Sequence, residues 1–447
     1  MKVLLLHTPI EYELAQEYTG DSLGLGYIAA VLRRDGHEVE ILDALVRNLK
    51  PQEAIREVLA QEFDCLGITS NHYHQDVLIP TVRQIRQQKR DIPIIVGGYL
   101  PTLSTEELLT TCREIDIAVL GEGETVISDL MGRLDRGEEW HSTPGIAFIK
   151  EGTLVTNPSP PPIKDLDTLP FPVRDGILQA PKDRPVKLVR ILGSRGCHHR
   201  CSFCCIHSFY SLSGSPAPRV RRPDKIVDEI ESTIAVTGIK SFRFSDDDFI
   251  GPSPKTQQHV VELAEELKKR KPPITFDIEC RADVVSEDVL KQLKEVGLTG
   301  VFLGIESGVQ SQLDRYNKRT TVEQNKKAIE MIRNMDLKLS TGFIAFDPYV
   351  TVGELAENIQ FLNEMKIADE IDQSSPGTII HKALTMLALY PGVPLIKQSE
   401  MDGLLIKNGM KVEYKFKDPW VRMLNRILLI PLFIGKLIKY LHAARRK

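Results

Sequence analysis

The chain has 447 residues, 42% of them hydrophobic and 26% charged, which is the mix of a globular chain of two or three domains and not of a disordered or fibrous one. A formal net charge of −4 excludes a chain-wide polyanion-binding surface, so no nucleic-acid partner is expected. Seven cysteines at this length exclude a disulfide scaffold, and no run of 18 apolar residues predicts a membrane-spanning helix.

The short apolar start, Met1 to Leu6, lacks the length and cleavage site of a secretory leader and reads as a buried first strand of a cytoplasmic protein. Strands are predicted over 3–7, 38–42, 65–69, 92–96 and 115–120, alternating with helices over 23–34, 51–61, 77–88, 104–112 and from 125 onward. Pro51 opens its helix at an early position, and Ser104 is the expected N-cap of another. Five βα units imply a parallel, doubly wound sheet whose ligands sit beyond the carboxyl ends of the strands. Prolines 158, 160, 161, 162, 170 and 172 then exclude a helix interior or a central strand and predict a semi-rigid linker.

A second βα series comes next. Its strands are predicted over 187–192, 241–245, 274–280, 300–305, 338–346 and near 377–380, with helices over 223–236, 254–271, 286–296, 320–334 and 352–366. Six units fit a partial (β/α)6 barrel with catalytic groups at the strand C-termini. From Trp420 to Lys447 there are seven Lys or Arg and no Asp or Glu around an apolar run, Ile427 to Ile434. Such a tail either lies on a membrane surface or docks as a terminal helix interrupted at Pro431.

Four of the seven cysteines fall between Cys197 and Cys205, in C-x3-C-x2-C spacing followed at once by Cys205, directly after a predicted strand. Three thiolates on one tight loop can hold three irons of a cubane cluster and leave the fourth open to a small molecule. A structural zinc site is the rival, with Cys205 or His207 as fourth ligand.

The loop resembles the signature of the radical S-adenosylmethionine (SAM) superfamily, C-x3-C-x-Φ-C, with Phe203 as Φ. The resemblance implies a [4Fe-4S] cluster on Cys197, Cys201 and Cys204, SAM chelated to the open iron, and a 5′-deoxyadenosyl radical formed by reductive cleavage. It also implies SAM contacts at Phe203, at Asp246 and Asp247 of the Asp246-Asp247-Asp248 run, at Arg281, and at Glu306 of Gly304-Ile305-Glu306-Ser307-Gly308. The bland readings are a solvated turn for the aspartates and an ion pair with Glu279 or Asp283 for Arg281.

In the first series, Gly24-Leu25-Gly26-Tyr27-Ile28-Ala29 with Asp43 matches a dinucleotide fingerprint, but the glycines stand too far beyond the first strand for its tight turn. The region instead resembles the cobalamin-binding domain that precedes many radical-SAM barrels, a flavodoxin-like (Rossmann-like) fold. The matching pieces are Gly24 and Gly26, Thr69 and Ser70, Gly97 and Gly98, and Gly121 and Glu122, which the resemblance makes cobalamin contacts. The D-x-H-x-x-G motif that supplies a cobalt ligand elsewhere is absent, and His72 and His74 stand near a strand end as a loop pair or as approaches to cobalt.

These readings divide the chain into a cobalamin-binding domain (1–137), a Pro-rich linker (138–185), a radical SAM barrel (186–385) and a C-terminal extension (386–447). The resemblance implies a cobalamin-dependent radical SAM enzyme, most often one that methylates an unactivated carbon through methylcobalamin. A radical SAM rearrangement or cyclisation without cobalamin is the alternative, and a zinc-stabilised binding protein a more distant one. The implied partners are a small-molecule or lipid-like substrate and a low-potential reductant such as flavodoxin or ferredoxin. The expected location is cytoplasmic, with the tail at the inner face of the membrane.

Overall fold

The computed structural model describes residues 1–10, 21–212, 214, 218–367 and 385–427. The first sheet has seven strands: β1 (Lys2–His7), β2 (Glu38–Asp43), β3 (Cys65–Thr69), β4 (Ile94–Gly97), β5 (Ile117–Val119), β6 (Ile146–Lys150) and β7 (Thr153–Thr156). Their order is 2-1-3-4-5-6-7. β1 to β5 are parallel, and β6 and β7 are antiparallel additions at one edge. The apolar run in β1 is explained by burial on both faces. Val3 and Leu5 enter one core layer, and Leu4 and Leu6 enter the other.

Helix Leu23–Arg34 begins where the Ser22 hydroxyl accepts the Leu25 N–H at 3.4 Å, and it buries Leu25, Ala29 and Leu32 on one face. Pro51 stands at the first turn of helix Pro51–Leu59, as expected. Ser104 stands at the N-cap of helix Thr105–Thr111, as expected, but without the capping bond. Its hydroxyl turns instead to His72 Nε2 at 3.4 Å. The stretch expected as linker also differs. β6 and β7 belong to the first sheet, because the Pro-free residues 146–156 read as a hairpin that can cover the edge of β5.

The second sheet contains β8 (Val189–Ile191). It is followed in the chain by the two-residue strands β9 (Ser194–Arg195) and β10 (Arg219–Val220), which pair with each other. β11 (Ser241–Phe244), β12 (Thr275–Arg281), β13 (Leu298–Glu306) and β14 (Lys338–Phe343) complete a five-stranded parallel sheet of order 14-13-12-11-8. Helices Pro223–Thr237, Pro254–Arg270, Glu287–Glu295, Val322–Asn334 and Val352–Glu364 alternate with the strands. The last two open on capping boxes, Thr321 with Gln324 and Thr351 with Glu354. The sixth strand expected near 377–380 lies outside the described residues, as does the tail beyond residue 427. A hairpin of β15 (Leu405–Asn408) and β16 (Lys411–Tyr414) follows helix Pro394–Met401. Among the described residues, no helix is long and apolar enough to cross a membrane.

Two buried ionic clusters join the sheets. Arg174 bridges Asp21 (3.1 Å) and Glu229 (2.8 Å), and Arg221 pairs with the same Glu229 at 2.5 Å. Arg195 reaches Glu122 (2.9 Å) and Glu124 (2.6 Å), while Arg219 reaches Glu122 at 2.8 Å. Each carboxylate that leaves water is met by a guanidinium, which is the condition for burying it.

Candidate active site between the two sheets

The C-terminal ends of β1, β3, β4 and β5 face those of β8 and β11 across one cavity of about 610 Å³, within the range of cofactor pockets. It opens where the strand order reverses between β1 and β3, the place where such sheets bind ligands. Its first wall carries Gly24, Thr69, Ser70, Gly97, Gly98, Gly121 and Glu122, all of them residues expected from the sequence. Its second wall includes Ser245, Asp247 and Arg195.

The glycines are of two kinds. A Cβ on Gly24 or Gly121 would meet nothing within 4 Å, so both leave open space that a bound group can occupy. Gly98 holds φ at +104°, and a Cβ there would stand 2.6 Å from the Ser70 carbonyl, so it is needed for the backbone path itself. Gly26 does not belong to the cavity wall. A Cβ on it would meet the Val173 carbonyl at 2.8 Å, and its own carbonyl accepts the Val173 N–H at 3.1 Å. Its missing side chain seats the linker. Glu122 lines the cavity, but its carboxylate is taken up by Arg195 and Arg219.

The cysteine loop leaves β9 at Gly196 and is braced from the far side of the barrel. Ser202 N–H donates to the Tyr316 carbonyl at 2.8 Å, Ser202 Oγ to the Arg315 carbonyl at 2.9 Å, and Asn317 Nδ2 to the Arg200 carbonyl at 2.7 Å. Phe203 packs edge-on against Tyr316, with ring centroids 5.3 Å apart, and so serves as an anchor of the loop. The three signature thiols are partly buried, and none is in a disulfide. Burial pushes Cys197 up to about 12 and raises Cys204 as well. Thiols held neutral in this way become ligands only beside metal charge. Backbone and side-chain donors already face the sulfurs: His199 N–H lies 3.5 Å from Cys197 Sγ, and Arg281 Nη1 3.5 Å from Cys201 Sγ. Among the described residues, no three His, Cys, Asp or Glu converge on one point as the ligands of a single ion do. A [4Fe-4S] cluster takes each thiolate on a different iron, and N–H groups aimed at sulfur suit such ligands.

The expected SAM residues gather around this loop in different ways. Asp247 lines the cavity and accepts the Gly196 N–H at 2.9 Å, and burial raises its carboxyl to about 6. Asp246 is turned away from the cavity. It accepts the Gly193 N–H (3.0 Å) and the Ser194 hydroxyl (2.6 Å), and so ties β11 to β9. Asp248 is buried, and neither carboxylate oxygen has a hydrogen-bond partner among the described residues. Arg281 is held by Asp283 at 2.9 and 3.0 Å, the ion pair expected if it makes no SAM contact, and reaches the cluster loop only at Cys201. Glu306 sits at φ +59° after a register shift in β13 and accepts a bond from Lys318 Nζ at 2.9 Å. Lys318 is 4% exposed and was not anticipated, since no motif surrounds it and only the fold brings it to Glu306.

Residues 15–131 match the B12 binding domain, and residues 191–362 match the Radical SAM superfamily. An uncharacterised methyltransferase of Pyrococcus horikoshii is 25% identical over 426 residues, which is 95% of this chain and 88% of the relative. The anaerobic magnesium-protoporphyrin IX monomethyl ester cyclase of Rubrivivax gelatinosus is 30% identical over 363 residues, 77% of this chain and 62% of the relative. The fold is that of OxsB, a cobalamin-dependent SAM radical enzyme solved with aqua-cobalamin and SAM. The TM-score is 0.75 at 22% identity, over 93% of this chain and 64% of that one. This chain thus spans less than two thirds of the length of the cyclase and of OxsB. The cavity thus lies between the two matched regions, and the chain carries a B12 binding domain followed by a Radical SAM superfamily domain.

Proposed function

We propose that the chain is a cobalamin-dependent radical SAM methyltransferase acting on an unactivated carbon of a small-molecule or lipid-like substrate. Its electrons would come from a low-potential carrier of the flavodoxin or ferredoxin kind. One observation carries the reading: the glycine-lined ends of β1, β3, β4 and β5 share a single cavity with Arg195 and Asp247, the residues that flank and hold the start of the cysteine loop. A hydrogen-abstracting centre and a methyl carrier must reach the same carbon, and a shared cavity supplies that proximity.

When bound, the cluster with SAM supplies a radical able to remove hydrogen from carbon, and cobalamin supplies the methyl carrier. The chain's own residues hold and enclose. Cys197, Cys201 and Cys204 hold the cluster, with Ser202, Phe203 and Asn317 fixing their loop. Asp247 and Glu306 would accept hydrogen bonds from the amine and ribose of SAM, and Lys318 holds Glu306 in place. Gly24, Gly97, Gly98 and Gly121 bring backbone close to the corrin, and Tyr99, Phe209 and Tyr210 exclude water from the space between.

The test uses full-length chain purified without oxygen, reconstituted with iron and sulfide, loaded with hydroxocobalamin and given a low-potential reductant and SAM with a deuterated methyl group. S-adenosylhomocysteine with label on the corrinoid, together with 5′-deoxyadenosine, is the expected result. 5′-Deoxyadenosine without S-adenosylhomocysteine in the cobalamin-loaded chain would replace methyl transfer by another radical reaction. The basic stretch 420–447 supports contact with an anionic membrane surface. Co-sedimentation with anionic vesicles should fall on deleting it, and unchanged sedimentation would end that part of the reading.

A further inference from the structure

The floor of the cavity holds a histidine pair that no motif explains, and its role rests on the cobalamin reading of that cavity. β1 and β2 run parallel and in register from Lys2 beside Glu38, so the last residue of each, His7 and Asp43, stand side by side at the strand ends. His7 Nδ1 lies 2.9 Å from Asp43 Oδ1, and Asp43 is 1% exposed. The same carboxylate also accepts the Val46 N–H at 3.0 Å and the Ser22 N–H at 3.3 Å. Burial works against its charge, but His7 and these backbone donors outweigh burial and hold it below the usual carboxylate range.

An ionised carboxylate only accepts, so the hydrogen-bond network places a proton on Nδ1, and in the neutral ring the lone pair then falls on Nε2. Among the described residues Nε2 has no hydrogen-bond partner, and His7 lines the cavity. His74 beside it is assigned the opposite tautomer. Its Nδ1 accepts the Asn71 N–H at 3.1 Å, which leaves the proton on Nε2, buried and without a partner. The two rings meet edge-on with centroids 5.6 Å apart. The floor therefore offers one imidazole lone pair and one N–H, and only the lone pair can bind a metal.

An imidazole whose second nitrogen donates to a carboxylate is the arrangement proteins use to orient a metal-ligating histidine and raise its basicity. The one metal that the reading brings to this wall of the cavity is cobalt. We propose that His7 is this protein's axial ligand to the corrinoid cobalt, donating through Nε2, with Asp43 as the residue that fixes its tautomer. The step is a lone-pair donation; the Nδ1 proton stays in place and no electron is transferred.

The test loads the full-length chain with cobinamide, which lacks the nucleotide base, so that any axial nitrogen on cobalt comes from protein. Cobalt content after gel filtration reports binding. With cobalt reduced to Co(II), the electron paramagnetic resonance lines report the axial ligand, because one 14N splits each cobalt line into three. The unaltered chain should show triplets, and chain labelled with 15N-histidine should show doublets. His7→Gln, which keeps a donor for Asp43, should abolish the splitting, and His74→Ala should retain it. Bound cobinamide without nitrogen splitting, triplets in the 15N-histidine chain, or triplets that survive His7→Gln, would overturn the proposal while leaving the cobalamin reading intact. Failure to retain cobinamide or cobalamin at all would remove that reading and the ligand with it.

Discussion

Two strand-end faces meet across the cavity, and they are built of opposite materials. The face on β1, β3, β4 and β5 is mostly apolar side chains and glycine, and the carboxylates it carries, Asp21, Glu122 and Glu124, are taken up by arginines. The ends of β11, β12 and β13 carry charge instead, with Asp246, Asp247, Asp248, Arg281, Glu306 and Lys318 around the cysteine loop, and of these Asp247 lines the cavity. Both are C-terminal ends of parallel strands, so topology does not separate them. One face keeps volume free for a bulky ligand recognised by shape. The other keeps charge in a low dielectric, where each ion has to be met by a partner or a cofactor.

Three substitutions probe that contrast. Cys201→Ala should act on the charged face alone and remove essentially all of about four iron per chain. Iron and sulfide analysis with a visible spectrum checks it, and cobalamin retention near the unaltered level would show that the two faces load independently. Arg195→Ala leaves Glu122 and Glu124 short of a partner in the buried seam between the faces. Breaking such a pair costs about 3–5 kcal/mol, which denaturant unfolding would read as a lowered midpoint. A loss below about 1 kcal/mol would mean that the seam is hydrated and not part of the fold's stability. Gly24→Leu pushes a side chain into the open space on the neutral face. Cobalamin affinity should fall about tenfold, or about 1.4 kcal/mol, while iron content and stability hold. Unchanged affinity would move the corrinoid away from this part of the wall.

The charged face was more legible in the sequence than its wiring. Cys197, Cys201 and Cys204 announce themselves because cluster ligation depends on local spacing, and the loop carries that spacing intact. The aspartate run and Glu306 were visible as strand ends, but which of them face the cavity depends on strand pleat and on the register shift in β13. Asp246 holds Gly193 and Ser194, and Arg281 pairs with Asp283. On the neutral face the glycines were read as a group, although they do different jobs. Gly24 leaves space, Gly98 permits a left-handed backbone, and Gly26 seats Val173 of the distant linker. His7 with Asp43, Arg195 with Glu122 and Lys318 with Glu306 are tertiary pairs. No local pattern encodes them, because the register of one strand against another, or the docking of one domain on another, creates each contact.

Arg195 stands two residues before Cys197, and the Arg195 guanidinium is clasped by two carboxylates of the opposite domain. The seam on this side therefore cannot swing apart without dragging the first cysteine of the loop with it. Any opening between the two domains would have to lie elsewhere along the rim, with this side as its fixed post.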